Sequence, residues 1–413
     1  MADLDDDERL RGRLVDGLRA SGRIRNEAVA QAFRTVPRHL FLPAVNLASA
    51  YTDEAIATKW DQSGQTISSA SQPAIMAIML EQLAVGPGQR VLEIGAGTGY
   101  NAALLAFLVG ETGTARDTGA VTTLDIDADL VDRARRHLRA AHVEGVSVVG
   151  ADGAGGWPES APYDRIIVTA AASDLAPAWV AQLAMGGRLV LPLSLRGVQQ
   201  SVALERHADH LASLSIVGCG FLPLRGALAG PDLLRSLEPG VFLKIDAGRC
   251  LDPEALRAAL SRPGEQVATG VSMTAAEAMD GLALWLALHE AGAGQLSVLG
   301  SVAGRLGLGP GLVSVAGMAH TTALVGEGGL AALVRGQPEH GPAFDVGVVS
   351  FGRPGADLAG LADRLVARVG EWAARGRPSR DTLRIRAYPA ASRPLGGAAV
   401  VLENPHTRLL LDW

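Results

Sequence analysis

Arg90-Val91-Leu92-Glu93-Ile94-Gly95-Ala96-Gly97-Thr98-Gly99-Tyr100 decides how this chain folds. Its first five residues are an apolar run of strand length. Three glycines at alternate positions follow, and then Tyr100–Val109, which reads as a helix. A strand, a glycine turn and a helix in that order open a βαβ unit. Glycine at 95, 97 and 99 lets the backbone come close to a ligand with no Cβ atom in the way. The spacing differs from the dinucleotide pattern Gly-x-Gly-x-x-Gly, so the turn alone does not name its ligand.

Downstream the alternation continues. Ala120–Leu124, Val146–Val149, Tyr163–Thr169 and Arg188–Pro192 read as strands, and Leu130–Ala141 as an amphipathic helix. Strands separated by helices of this length predict a parallel, doubly wound sheet. Right-handed crossovers then put every carboxyl end on one rim. Val202–Arg206 and Leu211–Leu222 read as an antiparallel pair closing that sheet. Upstream, Leu10–Val36 reads as two helices parted by Gly22, and Pro37 ends the second. Another helix runs from Gln72 to Leu83.

The chain has 413 residues, more than one ordinary core, which predicts two domains. Composition shifts at Gly226-Ala227-Leu228-Ala229-Gly230-Pro231, giving a first domain over 1–226 and an α+β second domain over 227–413. In the latter, Val241–Ile245, Asp345–Ser350, Leu383–Ala387 and Ala398–Leu402 are strand-like. Thr274–His289 and Asp357–Ala373 are helix-like, and the end reads as a hairpin around Asn404-Pro405.

Composition excludes several classes of function. A net charge of −6 offers no clustered cations to displace counterions from nucleic acid. No apolar run is long enough for a membrane span, and the acidic start carries no secretion signal, so a soluble cytoplasmic protein is expected. Cys219 and Cys250 form neither a disulfide framework nor a metal motif, and no metal is expected. The positive charge is almost all Arg; Lys59 and Lys244 are the two lysines.

Three loops on the shared rim indicate the cofactor. The Glu93-x-Gly95-x-Gly97-x-Gly99 turn follows the first strand. Asp125 follows the second and is placed to accept hydrogen bonds from two ribose hydroxyls. Asp152-Gly153 follows the third, where Asp152 suits an adenine amino group. This ordered set fits an adenosine with a charged amino-acid tail, S-adenosylmethionine. Each Asp taken alone is equally an ordinary loop cap.

The motifs around this core resemble those of protein-L-isoaspartate O-methyltransferases. The resemblance rests on Val36-Pro37-Arg38-His39-Leu40-Phe41, Ala50-Tyr51-Thr52-Asp53-Glu54-Ala55, Gly64-Gln65-Thr66-Ile67-Ser68 and Ser71-Gln72-Pro73. It continues through Asp152-Gly153, Ala161–Ala171, Gly186–Pro192 and Phe221-Leu222-Pro223-Leu224, covering residues about 10–226. It implies a Rossmann-like class I methyltransferase acting on a carboxylate of a peptide or protein. The chain departs from the family where Ser69-Ala70-Ser71 separates Gln-Thr-Ile-Ser from Gln-Pro. Ser68 or Ser71 therefore stands at the family's active-site serine, with Ser71 favoured by its spacing to Gln72-Pro73. The loop Ala57–Ser63 is also longer, and the short repair enzymes lack a second domain.

That extension resembles methyltransferases of ribosomally made, modified peptides, which esterify an Asp side chain and lead to aspartimide or isoaspartate. The first expectation is accordingly an Asp-directed peptide O-methyltransferase, with residues 227–413 recognising the substrate. The second is a repair enzyme for L-isoaspartyl residues. A third, of another class, is a cofactor-binding regulatory protein without turnover. Arg38 and His39 are expected to anchor loops. His289 suits a helix end and His320 a structural role. Trp60 lies near enough to the presumed site to touch substrate, and Arg133-Arg135-Arg136-Arg139 reads as a solvated helix face.

Overall fold

Val91, Leu92 and Ile94 are almost wholly buried, as strand residues must be in a parallel sheet covered on both faces. The structure, a computed structural model, describes residues 2–110, 119–230, 234–245, 252–315, 317–336, 342–352, 356–393 and 397–413. Two strands, β1 (Ile56–Trp60) and β2 (Thr66–Ala70), form a separate antiparallel hairpin ahead of the main sheet. The main sheet contains β3 (Arg90–Ile94), β4 (Ala120–Asp125), β5 (Val146–Gly150), β6 (Tyr163–Val168), β7 (Leu183–Leu195), β8 (Val198–Arg206) and β9 (Leu211–Gly218).

Their spatial order is β5-β4-β3-β6-β7-β8-β9. Pairing is parallel from β5 to β7 and antiparallel beyond. The chain runs outward from β3 to β5 and then returns to β6 on the other side of β3. A doubly wound sheet leaves a ligand crevice at such a switch point, outside the carboxyl ends of its strands. Here that crevice lies at Gly95 after β3 and Thr169 after β6.

Alternation sends the residues of β3 to opposite cores. Val91 packs with the helices Ala2–Ala20, Glu27–Thr35, Pro73–Leu83 and Tyr100–Val109. Leu92 and Ile94 pack on the other face, with Trp179 from the helix Pro177–Gln182 and with Leu284 and Leu288. The last two belong to Ala283–His289, a helix from beyond the expected domain boundary.

The second sheet is antiparallel throughout. It comprises β10 (Leu234–Glu238), β11 (Val241–Ile245), β12 (Pro263–Met273), β13 (Ala293–Leu299), β14 (Val313–Val315), β15 (Met318–Gly326), β16 (Gly329–Arg335) and β17 (Phe344–Gly352). The order is β10-β11-β13-β15-β16-β17-β12, with β14 on β15. The helix Pro253–Leu260 covers one face, through Leu256 and Leu260. The other face carries the helical stretch Ala275–His289 and the helix Leu358–Ala374, anchored by Trp285 and Trp372. This domain is mostly strand.

The chain then returns to the first sheet. β18 (Arg384–Pro389) pairs with β9, and β20 (Thr407–Asp412) and β19 (Val400–Glu403) continue outward, giving ten strands. A division between 226 and 227 therefore cuts through one sheet. The physical reason is in the sequence of β18, the residue before it, and β20: Leu383, Ile385, Leu409 and Leu411 complete the core of the first domain. The carboxylate of Asp174 fastens this return by accepting from the His406 amide and the Thr407 hydroxyl. Cys250 and Pro231 lie outside the described residues. Among those described, no helix is long and apolar enough to cross a membrane, and no group of three or more His, Cys, Asp or Glu is placed to hold a metal.

Candidate active site

Gly95, Gly97 and Gly99 all have positive φ, at 103°, 51° and 87°. The need is steric as well as torsional at Gly95, where a Cβ would lie 2.5 Å from Thr169 Oγ1. That hydroxyl donates to the Gly95 carbonyl at 2.9 Å and so ties the end of β6 to the turn. The amides of Gly95 and Ala96 both donate to the Leu124 carbonyl at 2.8 Å. Gly97 N donates to Asp125 Oδ2 at 3.0 Å, and Asp127 N to Asp125 Oδ1 at 3.1 Å. Asp125 thus braces the glycine turn from the end of β4. It is 8% exposed, and burial pushes its carboxyl above the usual carboxylate range while the two amides oppose the shift.

A cavity of about 890 Å³ opens here. Ser68, Ser71, Gly95, Gly97, Asp125 and Gly153 line it. Three other residues expected to bind the cofactor, Glu93, Gly99 and Asp152, are not among the residues that line it. Glu93 is 0% exposed and accepts from Asn101 Nδ2 at 2.7 Å and Thr123 Oγ1 at 2.6 Å. Burial raises its carboxyl to about 7, although both hydrogen bonds pull the other way. Gly99 caps the helix Tyr100–Val109 and allows it to touch Ala134, whose Cα would be 3.3 Å from a Cβ at 99. Asp152 Oδ1 accepts from Ala154 N at 2.9 Å and Oδ2 from Ala227 N at 2.7 Å. Its carboxylate closes a turn and holds the strap leaving the first domain.

Both candidate serines reach the cavity. Ser68, on β2, is nearly buried, and its hydroxyl accepts from Thr58 Oγ1 at 3.3 Å. The Ser71 side chain makes no hydrogen bond among the described residues and does not cap the next helix. The N-cap is Gln72, and Asp53 accepts from the Ala74 amide at 2.8 Å instead. Arg38 fixes the Ser71 backbone. Fully buried, it donates to the carbonyls of Ala50, Thr52, Glu54 and Ser71 at 3.0–3.3 Å. His39 Nδ1 lies 2.9 Å from Tyr51 Oη, and Tyr51 donates to Asp7. Arg38 and His39 both organise the loop 50–54.

Several contacts here were not expected from the sequence. Lys59 on β1 reaches Asp127 at 2.8 Å and Asp129 at 2.6 Å. Arg225 grips Asp127 through two hydrogen bonds, at 2.7 and 3.2 Å. Together they link the β1–β2 hairpin and the segment after β9 to the loop following β4. Much of the expected longer loop Ala57–Ser63 is thus strand, held over the rim. Arg133 takes part by donating to the Thr58 carbonyl at 3.0 Å, and Arg135 donates to the Val148 carbonyl at 2.7 Å, so that helix face is not simply solvated. A rare lysine beside an inserted hairpin was the available signal. Trp60 is 55% exposed at the end of β1. His320 and His289 have structural partners, Ser297 Oγ and the Trp285 carbonyl, each at 2.9 Å.

The cavity suits an adenosine with a charged tail. Asp125 offers carboxylate acceptors on its wall. Ile126, exposed by 44% despite being apolar, offers a face for a flat ring, and the Gly95–Gly97 turn leaves room beside it.

Comparison with known proteins agrees. The profile of the family described as Protein-L-isoaspartate(D-aspartate) O-methyltransferase (PCMT) matches residues 9–229. The chain is 40% identical over 227 residues to a protein-L-isoaspartate O-methyltransferase of Staphylothermus marinus, spanning 54% of this chain and 98% of that one. It is 43% identical over 217 residues to one from Methanoregula boonei, spanning 52% and 93%. A solved structure of a protein-L-isoaspartate O-methyltransferase superposes with a TM-score of 0.50 at 23% identity, covering 91% of this chain and 96% of its own. The chain belongs to the protein-L-isoaspartate (D-aspartate) O-methyltransferase family and is an S-adenosylmethionine-dependent carboxyl O-methyltransferase.

Proposed function

We propose that this enzyme methylates the free carboxylate of L-isoaspartyl residues in damaged proteins. The observation that carries the reading is the match of about 40% identity over nearly the full length of relatives that bear this name. The expectation of a dedicated peptide-modifying enzyme rested chiefly on the second domain. A solved structure of a protein-L-isoaspartate O-methyltransferase shares the fold over 91% of this chain, so a second domain does not by itself favour that expectation. Asp-directed methylation of a biosynthetic peptide stands as the second reading. It is favoured by Ser69-Ala70-Ser71, all three of which line the cavity, and by a residue of the second sheet on the cavity wall.

The site is economical in acid–base groups because the reaction needs few. A carboxylate is anionic at neutral pH and requires no general base. S-adenosylmethionine, when bound, supplies an activated methyl group. The chain's own task is to hold the substrate oxygen in line and keep water away. The Ser71 hydroxyl, with no partner among the described residues, is the group we assign to donate to the incoming carboxylate. Arg38 is its positioning residue, through the Ser71 carbonyl. Asp125, Gly95, Gly97 and Gly153 are assigned to the cofactor side. Residues 227–383 are assigned to substrate recognition, and 384–413 to completing the catalytic sheet.

The test is methylation of matched peptides with isoaspartate or Asp at one position. The isoaspartyl peptide should gain a methyl group and then lose methanol as the next backbone nitrogen closes a succinimide. Faster turnover of the Asp peptide would replace this reading with the second. A methyl group stable to mild base would overturn both.

A further inference from the structure

Lys244 projects from the second sheet into the catalytic cavity. On β11 the side chains of Val241, Leu243 and Ile245 point into that domain's core. Alternation sends Lys244 to the opposite face, toward the Gly218–Gly220 wall. Its ammonium makes no ion pair or hydrogen bond among the described residues. Burial pulls it below the usual lysine range. Cys219 is beside it, but burial raises that thiol to about 12, so it is no counter-ion at neutral pH.

The other charged groups on the wall sharpen the point. Asp125 is engaged by two backbone amides, and Asp53 by the Ala74 amide and Gln72. Arg225 is paired with Asp127. Arg23 also lines the cavity and, like Lys244, has no side-chain partner among the described residues. Arg380 presses on Gly218 where a side chain would otherwise sit, interacts electrostatically with Arg23 and Cys219, and is paired with Asp280. One end of the cavity therefore carries two cations in want of an anion. The phosphate-free cofactor supplies none beyond its single amino-acid carboxylate.

We propose that Lys244 and Arg23 receive a second carboxylate of the peptide substrate, separate from the one that is methylated, so that the enzyme selects acidic peptides. This deepens the carboxyl-methylation reading above and rests on it. A partly desolvated lysine is well suited to the role, because a carboxylate arriving there meets a point charge weakly screened by water. The carboxylate has two possible sources, an acidic side chain next to the reacting residue or a peptide's own C-terminus.

The experiment uses the full chain and four isoaspartyl peptides. Each has Glu or Gln after the isoaspartyl residue and a free or an amidated C-terminus. Wild-type kcat/KM should favour the carboxylate-bearing peptides by about tenfold, mostly through KM. The arm that shows the preference identifies the source. Lys244→Met should erase the preference while keeping the rate on the neutral, amidated Gln peptide, and Lys244→Arg should restore it. Arg23→Gln, at an exposed position, gives a second variant with little risk to folding, and it should weaken the preference too. Unchanged discrimination in Lys244→Met, or none in the wild type, overturns the inference and leaves the carboxyl-methylation reading standing. Methylation of none of the four peptides overturns the isoaspartyl reading and this inference with it.

Discussion

Replacing Glu93 by Gln isolates the energetic effect of a buried acid beneath the glycine turn. Glu93 is raised from an ordinary 4.5 to about 7 in the fold, because burial penalises its charged form. In the unfolded chain it ionises near the ordinary value. Between pH 4.5 and 7 the unfolded state releases a proton that the folded state retains. Stability from this group is thus fully present below pH 4.5 and declines as pH rises to 7, by about 3 kcal/mol in total. A Gln accepts from Asn101 through its oxygen and donates to Thr123 through its nitrogen, so it matches the protonated acid without titrating. The variant's stability minus the wild type's should therefore climb by a few kcal/mol from pH 4.5 to 7.5 and then level off. Chemical denaturation across that range measures it. Taking the difference cancels the opposite trend from His137, His289 and His320, which burial lowers. A flat difference would refute the argument. Because Glu93 stands behind the cavity wall, cofactor affinity should stay within a few-fold; a large loss would return Glu93 to direct cofactor contact.

Asp125→Asn should weaken S-adenosylmethionine binding by about 1–3 kcal/mol, through lost acceptor strength and a loosened Gly97 amide; calorimetry with unchanged affinity would remove it from the cofactor side. Ser71→Ala should slow turnover about tenfold with little change in cofactor affinity. If Ser68→Ala does so instead, the substrate serine is Ser68. Arg38→Met leaves four carbonyls without donors and should cost about 3 kcal/mol or more of stability. It should also lower kcat more than it changes cofactor affinity, and equal losses would make its role purely structural.

The first sheet was legible because its strands are apolar and rich in β-branched residues, and the helices Tyr100–Val109 and Ala128–Ala140 separate the first three of them. Arg90–Ile94 and Tyr100–Val109 fall where the pattern puts them. The β7–β8 connection was not legible, since its turn is Arg196-Gly197, with φ of 49° and 91°, in place of Asn-Gly. In the second domain, β13, β15 and β16 carry several Gly and Ala residues, which have little strand propensity on their own. Their pairing is decided by burial between two helical layers, and no local window contains that. At the site, Asp125 and the serines could be found from motif order. Lys244 could not, because the contact spans two sheets. Nor could the duties of Glu93 and Asp152, since motif order gives a residue's position and leaves its direction open.

The return of β18–β20 to the first sheet has a consequence for biosynthesis. During translation β9 emerges about 165 residues before the strand that covers it, estimated from the strand positions. Through that interval the catalytic sheet has an open edge with Leu204 and Leu211 beneath it, a template for pairing with another nascent chain. The whole second sheet is translated before the edge is sealed. A ribosome that stops between the end of β9 and residue 384 releases a chain carrying every cofactor-side residue on a sheet with one edge still open. Such a product presents an unpaired strand edge to other chains until β18 covers it.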